Sequence, residues 1–138
     1  MSNGKILKEF MQKVWNEKDF DSIQLFVDRD YKIHLDSGDL WEGKTLDNAE
    51  FKKRLEFSFN SFPDINFDIH TAIEDGNYVA ITWTMTGTNL GNIGNFPPTG
   101  KSIHASGATI YHFRIGKVCG HSQVFDRTTI MKQLGFIK

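Results

Sequence analysis

The narrowest constraint on how this chain can fold is a change of hydrophobic period at Pro63. Upstream of it, Ile6, Phe10, Val14 and Trp15 recur at helical spacing from about Lys5 to Glu17, until Asn16-Glu-Lys-Asp19 breaks the pattern. A short second helix is predicted through Phe20 to Phe26, and Asp30 to Leu35 reads as a first strand. Phe51, Leu55, Phe57, Phe59 and Phe62 then predict a third helix between Leu46 and Phe62, which Pro63 ends. Downstream the period becomes two. Ile65, Phe67, Ile69, Thr71 and Ile73 alternate with polar or small residues, Asp75-Gly76-Asn77 signals a hairpin, and Val79, Ile81, Trp83 and Met85 continue the alternation. Ile103 to Arg114 and Val118 to Phe125 read as two more strands about a Gly116-Lys117 turn, and a last helix from Thr128 to Leu134 stops at Gly135. Helices first and antiparallel strands after predict an α+β domain, with the N-terminal helices over one face of a curved antiparallel sheet.

Parity along the strands assigns the two faces. Ile65, Phe67, Ile69, Val79, Ile81, Trp83, Met85, Tyr111, Phe113 and Phe125 share one and are expected to meet the helices. Thr109, Cys119, His121 and Gln123 join them if no bulge intervenes. The opposite face carries Thr82, Thr84, Thr86, Ser106, Ala108, Ile110, Val118, Ser122 and Val124, weakly charged and suited to packing against another copy. Self-association, most simply as a homodimer, is therefore expected.

His121 and Gln123 stand out because a polar side chain on an apolar face costs free energy unless it is hydrogen-bonded. Two readings fit: a satisfied core network, or the wall of a ligand cavity. His121 has an ordinary pKa close to neutral pH, which suits acid/base work, yet no second titrating partner can be named from the sequence. Asp126 ends the last strand, where capping the following helix is the simpler role and catalysis the other. Tyr31 and Tyr111 each bring a hydroxyl that can meet a bound carbonyl. Trp15, Trp83 and Met85 can line an aromatic site or be plain core. Phe96, in the loop from Asn89 to Gly100, is the candidate lid.

Other patterns carry less. His34 with Asp36, and Asp68 with His70, have a spacing that could ligate a metal from one strand face, but without a third ligand they read as solvated charge and no metal is expected. Gly100-Lys101-Ser102 lacks the first glycine of a phosphate loop and precedes a strand instead of a helix. The lone Cys119 allows no internal disulfide and reads as a small core residue. A net charge of -1 with both signs interspersed gives no footprint for nucleic acid or an anionic membrane. The 138 residues suit one domain spanning 1–138, and the N-terminal residues lack a signal-peptide core, so a cytoplasmic location is expected.

Several motifs recur together in one order: Phe62-Pro-Asp64, Trp83-Thr-Met-Thr-Gly-Thr88, Phe96-Pro-Pro-Thr-Gly100, Gly116-Lys117, His121-Ser-Gln-Val-Phe-Asp126 and Gln133-Leu-Gly135. In these the chain resembles the SnoaL-like polyketide cyclase family, within the nuclear transport factor 2-like and ketosteroid-isomerase-like superfamily. The resemblance implies a cone-shaped α+β barrel around a deep, mostly apolar pocket, usually in a homo-oligomer. It also implies a cofactor-free intramolecular aldol condensation on a small apolar or carbonyl-containing ligand, in which a carboxylate removes a proton from an activated carbon and returns one to the oxyanion. The family's acid/base aspartate falls on Gln123. A carboxamide is no general base near neutral pH, although it can orient a carbonyl. His121 is then the candidate base. The competing reading is a non-catalytic ligand-binding or sensing module on the same scaffold, and a third is an interaction domain using the small-residue face.

Overall fold

The computed structural model describes residues 1–138. Helix α1 spans Asn3–Phe10, its free N-terminal amides met by the Ser2 hydroxyl, which accepts from the Lys5 amide. It continues into a π-helical segment, Met11–Asn16, so the expected Lys5 to Glu17 helix is one rod with a widened second half. Leu7, Phe10, Met11, Val14 and Trp15 all turn inward from it. Asn16 closes the rod by pairing with both backbone groups of Phe67 through its carboxamide, standing in for a neighbouring strand.

A 3-10 turn at Phe20–Ser22 and the short α2, Ile23–Phe26, lead directly into β1, Val27–Ile33. The strand therefore starts and ends earlier than its alternation suggested. A two-residue strand, β2 (Thr45–Leu46), pairs with it, too short to leave a periodic signal. Helix α3, Asn48–Ser61, opens on a reciprocal capping box between Asp47 and Glu50.

Four long strands complete the sheet: β3 (Asn66–Asp75), β4 (Tyr78–Thr88), β5 (Ser102–Arg114) and β6 (Lys117–Phe125). Helix α4, Arg127–Gln133, follows, with the Asp126 carboxylate accepting from the Thr129 amide at its start. Sheet order is β2-β1-β6-β5-β4-β3, antiparallel throughout except where β1 runs parallel to β6. The sheet is curved and does not close on itself. One continuous cluster of buried side chains joins the helices to its inner face, and no helix is long and apolar enough to cross a membrane.

Two bulges correct the parity assignment. At His112/Phe113 the register skips Cys119, so Val118 comes to the inner face and is fully buried, while Cys119 is only half-buried and not the core residue expected. A second irregularity between Ile69 and Thr71 turns Ile73 outward, 63% exposed, although the alternation placed it in the core. Phe57 is likewise half-exposed, its ring set edge-on against Trp41 at the rim of the molecule.

Candidate active site

Between the helices and the inner sheet face lies a cavity of about 150 Å³. Its apolar wall comes from the π-helical segment (Met11, Trp15), from α3 (Phe51) and from β4 (Trp83, Met85). Its polar wall holds Tyr31, Arg54, Tyr111, His121 and Gln123, with Asp39, Trp41 and Arg127 nearer the mouth.

The polar side chains are not scattered; they converge on Asp36. This carboxylate sits in the connection between β1 and β2 and is 1% exposed. Its Oδ2 accepts from His121 Nε2 at 2.8 Å, from the Gln123 carboxamide at 2.9 Å and from Arg54 at 3.2 Å, while Oδ1 accepts from Arg127 at 3.0 Å. Arg54 also grips Asp39 at 2.8 Å. The reading of Asp36 as solvated charge is thus wrong: it is the buried anion of a network whose cations enter from α3 and α4. Its metal-pair partner, His34, is turned away and stacked on His112 with ring centroids 4.5 Å apart. Of the other pair, His70 is hydrogen-bonded to Thr84 and Asp68 lies beside Asn66.

Protonation states follow from these contacts. Burial works to raise Asp36, but His121, Arg54 and Arg127 outweigh it and hold the carboxyl below the ordinary carboxylate range. Burial is also the largest influence on His121 and depresses it below 6.5, against the opposing pull of Asp36, so the imidazole is neutral at neutral pH. A neutral imidazole that donates Nε2–H to a carboxylate must present Nδ1 as its acceptor, and the Tyr31 hydroxyl lies against that atom. Tyr31 therefore donates to His121, and burial holds its own phenol well above the usual value.

A second chain reaches Asp36 from the sheet. The Trp83 indole N–H donates to Thr109 Oγ1 at 2.8 Å, the Thr109 hydroxyl to Gln123 Oε1 at 3.0 Å, and Gln123 Nε2 to Asp36. Gly107 makes this geometry possible, because a Cβ there would come within 2.5 Å of the Trp83 ring. Thr109 hence stands behind the cavity wall and fixes which way the Gln123 amide faces.

Tyr111 contrasts with both chains. Its hydroxyl is buried against the cavity, yet the one partner it reaches is the Met11 thioether, at 3.6 Å. A thioether is a weak acceptor, so most of this donor's hydrogen-bonding capacity is unspent.

Of the residues singled out from the sequence, Trp15, Tyr31, Trp83, Met85, Tyr111, His121 and Gln123 meet around one cavity. Asp126 lies outside it as the cap of α4. Phe96 also stands apart, stacked on Phe136 at 4.5 Å. Sequence reasoning missed Asp36, Asp39, Arg54 and Arg127. One signal was available for Arg54, which falls three residues after Phe51 and one before Leu55 on the buried stripe of α3. A buried guanidinium demands carboxylate partners.

The model of the SnoaL-like polyketide cyclase family matches residues 5–134. Among solved structures, the chain is similar to a candidate polyketide cyclase from Acidithiobacillus ferrooxidans, 38% identical over 99% of this chain and 97% of that one, with a TM-score of 0.91. It is also similar to IdmH, a candidate polyketide cyclase from Streptomyces antibioticus (22% identity, 98% and 99% covered, TM-score 0.83), and to AclR, a candidate hydroxylase from Streptomyces galilaeus (23%, 100% and 99%, 0.80). At these lower identities the likeness concerns the fold alone. No protein of curated function matches the chain.

Proposed function

This chain belongs to the SnoaL-like polyketide cyclase family, and we propose that it binds a small carbonyl compound in the inner cavity and moves a proton on it without a cofactor. The observation that carries this reading is the buried chain Tyr31–His121–Asp36, of which Tyr31 and His121 line the cavity and Asp36 stands behind them. A base at position 123 is missing, but a carboxylate lies 2.9 Å from the Gln123 amide. In effect the negative charge is supplied from the β1–β2 connection instead of from β6.

Asp36 itself is saturated by donors and depressed in pKa, which makes it a poor proton acceptor and a good stabiliser of imidazolium. The step follows the same logic as a hydroxyl–imidazole–carboxylate triad. A carbon acid next to a carbonyl gives its proton to the Tyr31 oxygen as the Tyr31 O–H proton passes to His121 Nδ1. The imidazolium so formed is held by Asp36, and the enolate carbon is free to attack a second carbonyl. The reverse transfer then protonates the resulting alkoxide through Tyr31. No free phenolate arises, which agrees with the raised pKa of that phenol.

A second reading rests on a different observation: no buried side-chain nitrogen or oxygen lacks a hydrogen-bond partner within the protein. A network satisfied in this way also suits a binding module that orients a ligand and leaves it unchanged. Deuterium uptake at the activated carbon of β-diketones and β-keto esters in D2O, followed by proton NMR, separates the two. Uptake above buffer, lost in Tyr31→Phe and in His121→Gln, is expected. Uptake retained in Tyr31→Phe would sink the relay, and binding without uptake would make the chain a binding module.

A further inference from the structure

The relay leaves open how large the ligand is and what charge it carries; the cavity speaks to both. Resting on the carbonyl-binding reading above, we infer that the site selects a neutral carbonyl compound of single-ring size, oriented by Tyr111, and not a multi-ring polyketide.

Volume is the first ground. Sites for drug-sized ligands measure roughly 300–1,000 Å³, whereas this cavity has about 150 Å³. An apolar cavity of about that volume holds one benzene ring. A second or third fused ring would have to displace core side chains or leave through the mouth. At the mouth, Trp41 is already braced edge-on against Phe57 at 5.3 Å, and Arg127 is tied down by Asp36 and by the Ser37 carbonyl.

Charge is the second. Asp36 and Asp39 meet Arg54 and Arg127 inside the same network, two anions against two cations. An ionic ligand would enter with no free counter-charge and would bear its desolvation cost uncompensated.

Polarity is the third. Tyr31, Thr109, His121, Trp83 and Gln123 each give a proton to another member of the network, whereas the Tyr111 hydroxyl is held only by the Met11 thioether. A carbonyl oxygen is the better acceptor and takes that proton from sulfur, which places the ligand's oxygen beside β5 and its adjacent carbon toward the Tyr31–His121 end. Tyr111 and His121 have ring centroids 6.0 Å apart, and Tyr31 and His121 5.6 Å apart, so both phenol rings lie against the imidazole. A ligand needs only a short span to reach both.

The test is a ladder of acetyl-substituted cyclic ketones in which rings are added to one unchanged β-diketone: the cyclohexanone, the tetralone and the tetrahydrophenanthrenone. Dissociation constants come from titration calorimetry and deuterium uptake from NMR on the same samples. The one-ring member is expected to bind tightest, with each added ring weakening the Kd by about tenfold through overpacking. Cyclohexane-1,3-dione, a vinylogous acid that is anionic at neutral pH, should bind more weakly than the neutral one-ring compound. Tyr111→Phe should weaken the one-ring Kd while leaving the ranking by size intact, and Met85→Ala should move the preference toward two rings.

Tighter binding of the three-ring member, equal binding of the anion, or no binding anywhere on the ladder would overturn the inference. Proton transfer is scored separately. One-ring binding without uptake would leave this inference standing and remove the relay, whereas uptake confined to the three-ring compound would do the reverse.

Discussion

The connections 34–44 and 89–101 are both long, polar and glycine-containing, yet their buried polar groups face opposite ways. Asn89 is fully buried and spends its carboxamide within its own neighbourhood, donating to Gly91 and Ser61 and accepting from the Thr99 amide at 2.8 Å. Gly91 lies so close to the Asn60 carbonyl that a Cβ there would be 1.8 Å from its oxygen, which locks this loop onto the end of α3. The 34–44 connection instead exports its key group. Asp36 receives donors from α3, β6 and α4, and little within its own segment explains its burial. A loop that satisfies itself is scaffold; one whose carboxylate is satisfied from three distant elements brings those elements together at one point. By composition alone, residues 89–101 read as functional, through Phe96, and residues 34–44 as a solvated turn.

Breaking the comparison at its strongest point means Asp36→Ala, which removes the common acceptor of His121, Gln123, Arg54 and Arg127 and leaves their buried donors short of a partner. Loss of about 3–5 kcal/mol of stability is expected, read by urea denaturation. Stability within about 1 kcal/mol of the parent would show that the network is not the junction described. Asn89→Ala should cost less, about 1–3 kcal/mol for orphaned buried partners, and should leave ligand binding unchanged. A change in the Kd for the one-ring ketone would show that this loop does communicate with the cavity.

The pH response sharpens the contrast further, because residues 89–100 contain no titratable side chain. Burial depresses His121, and to the same sign His34 and His112, below 6.5. The unfolded chain therefore takes up protons near that value before the folded one does. Stability should be complete above it, fall as pH drops below it, and level off once the folded imidazoles protonate. Asp36, depressed below 3.8, adds its own loss only at still lower pH. Hydrogen exchange on acidification should accelerate first in the 34–44 connection and β6; earlier acceleration in 89–100 would contradict this assignment. The smallest effect is expected of Phe96→Ala, a half-exposed ring stacked on Phe136, at about 0.5–1.5 kcal/mol with no effect on deuterium uptake.

How legible each part was depends on the range of the interaction that decides it. Helix and strand positions were readable because side-chain period is a local property of the backbone. The boundaries of β1 and the existence of β2 were less so, since a two-residue strand has no period to show. The bulge that skips Cys119 escaped for a related reason: it is a mismatch between two strands, visible only once β5 and β6 are paired. Asp36 lay furthest from reach, 85 residues from His121, 87 from Gln123 and 91 from Arg127.

By itself the sequence determined the α+β class, the order of the elements, the apolar face of the sheet and the presence of His121 and Gln123 on it. Alternation and helical spacing are written one residue after another, so no distant partner is needed to read them. The tertiary structure alone decided which carboxylate completes the site, which loop supplies it and how much room the cavity leaves. Those properties arise from charges and volumes contributed by segments far apart in the chain, and they exist only where the fold brings the segments together.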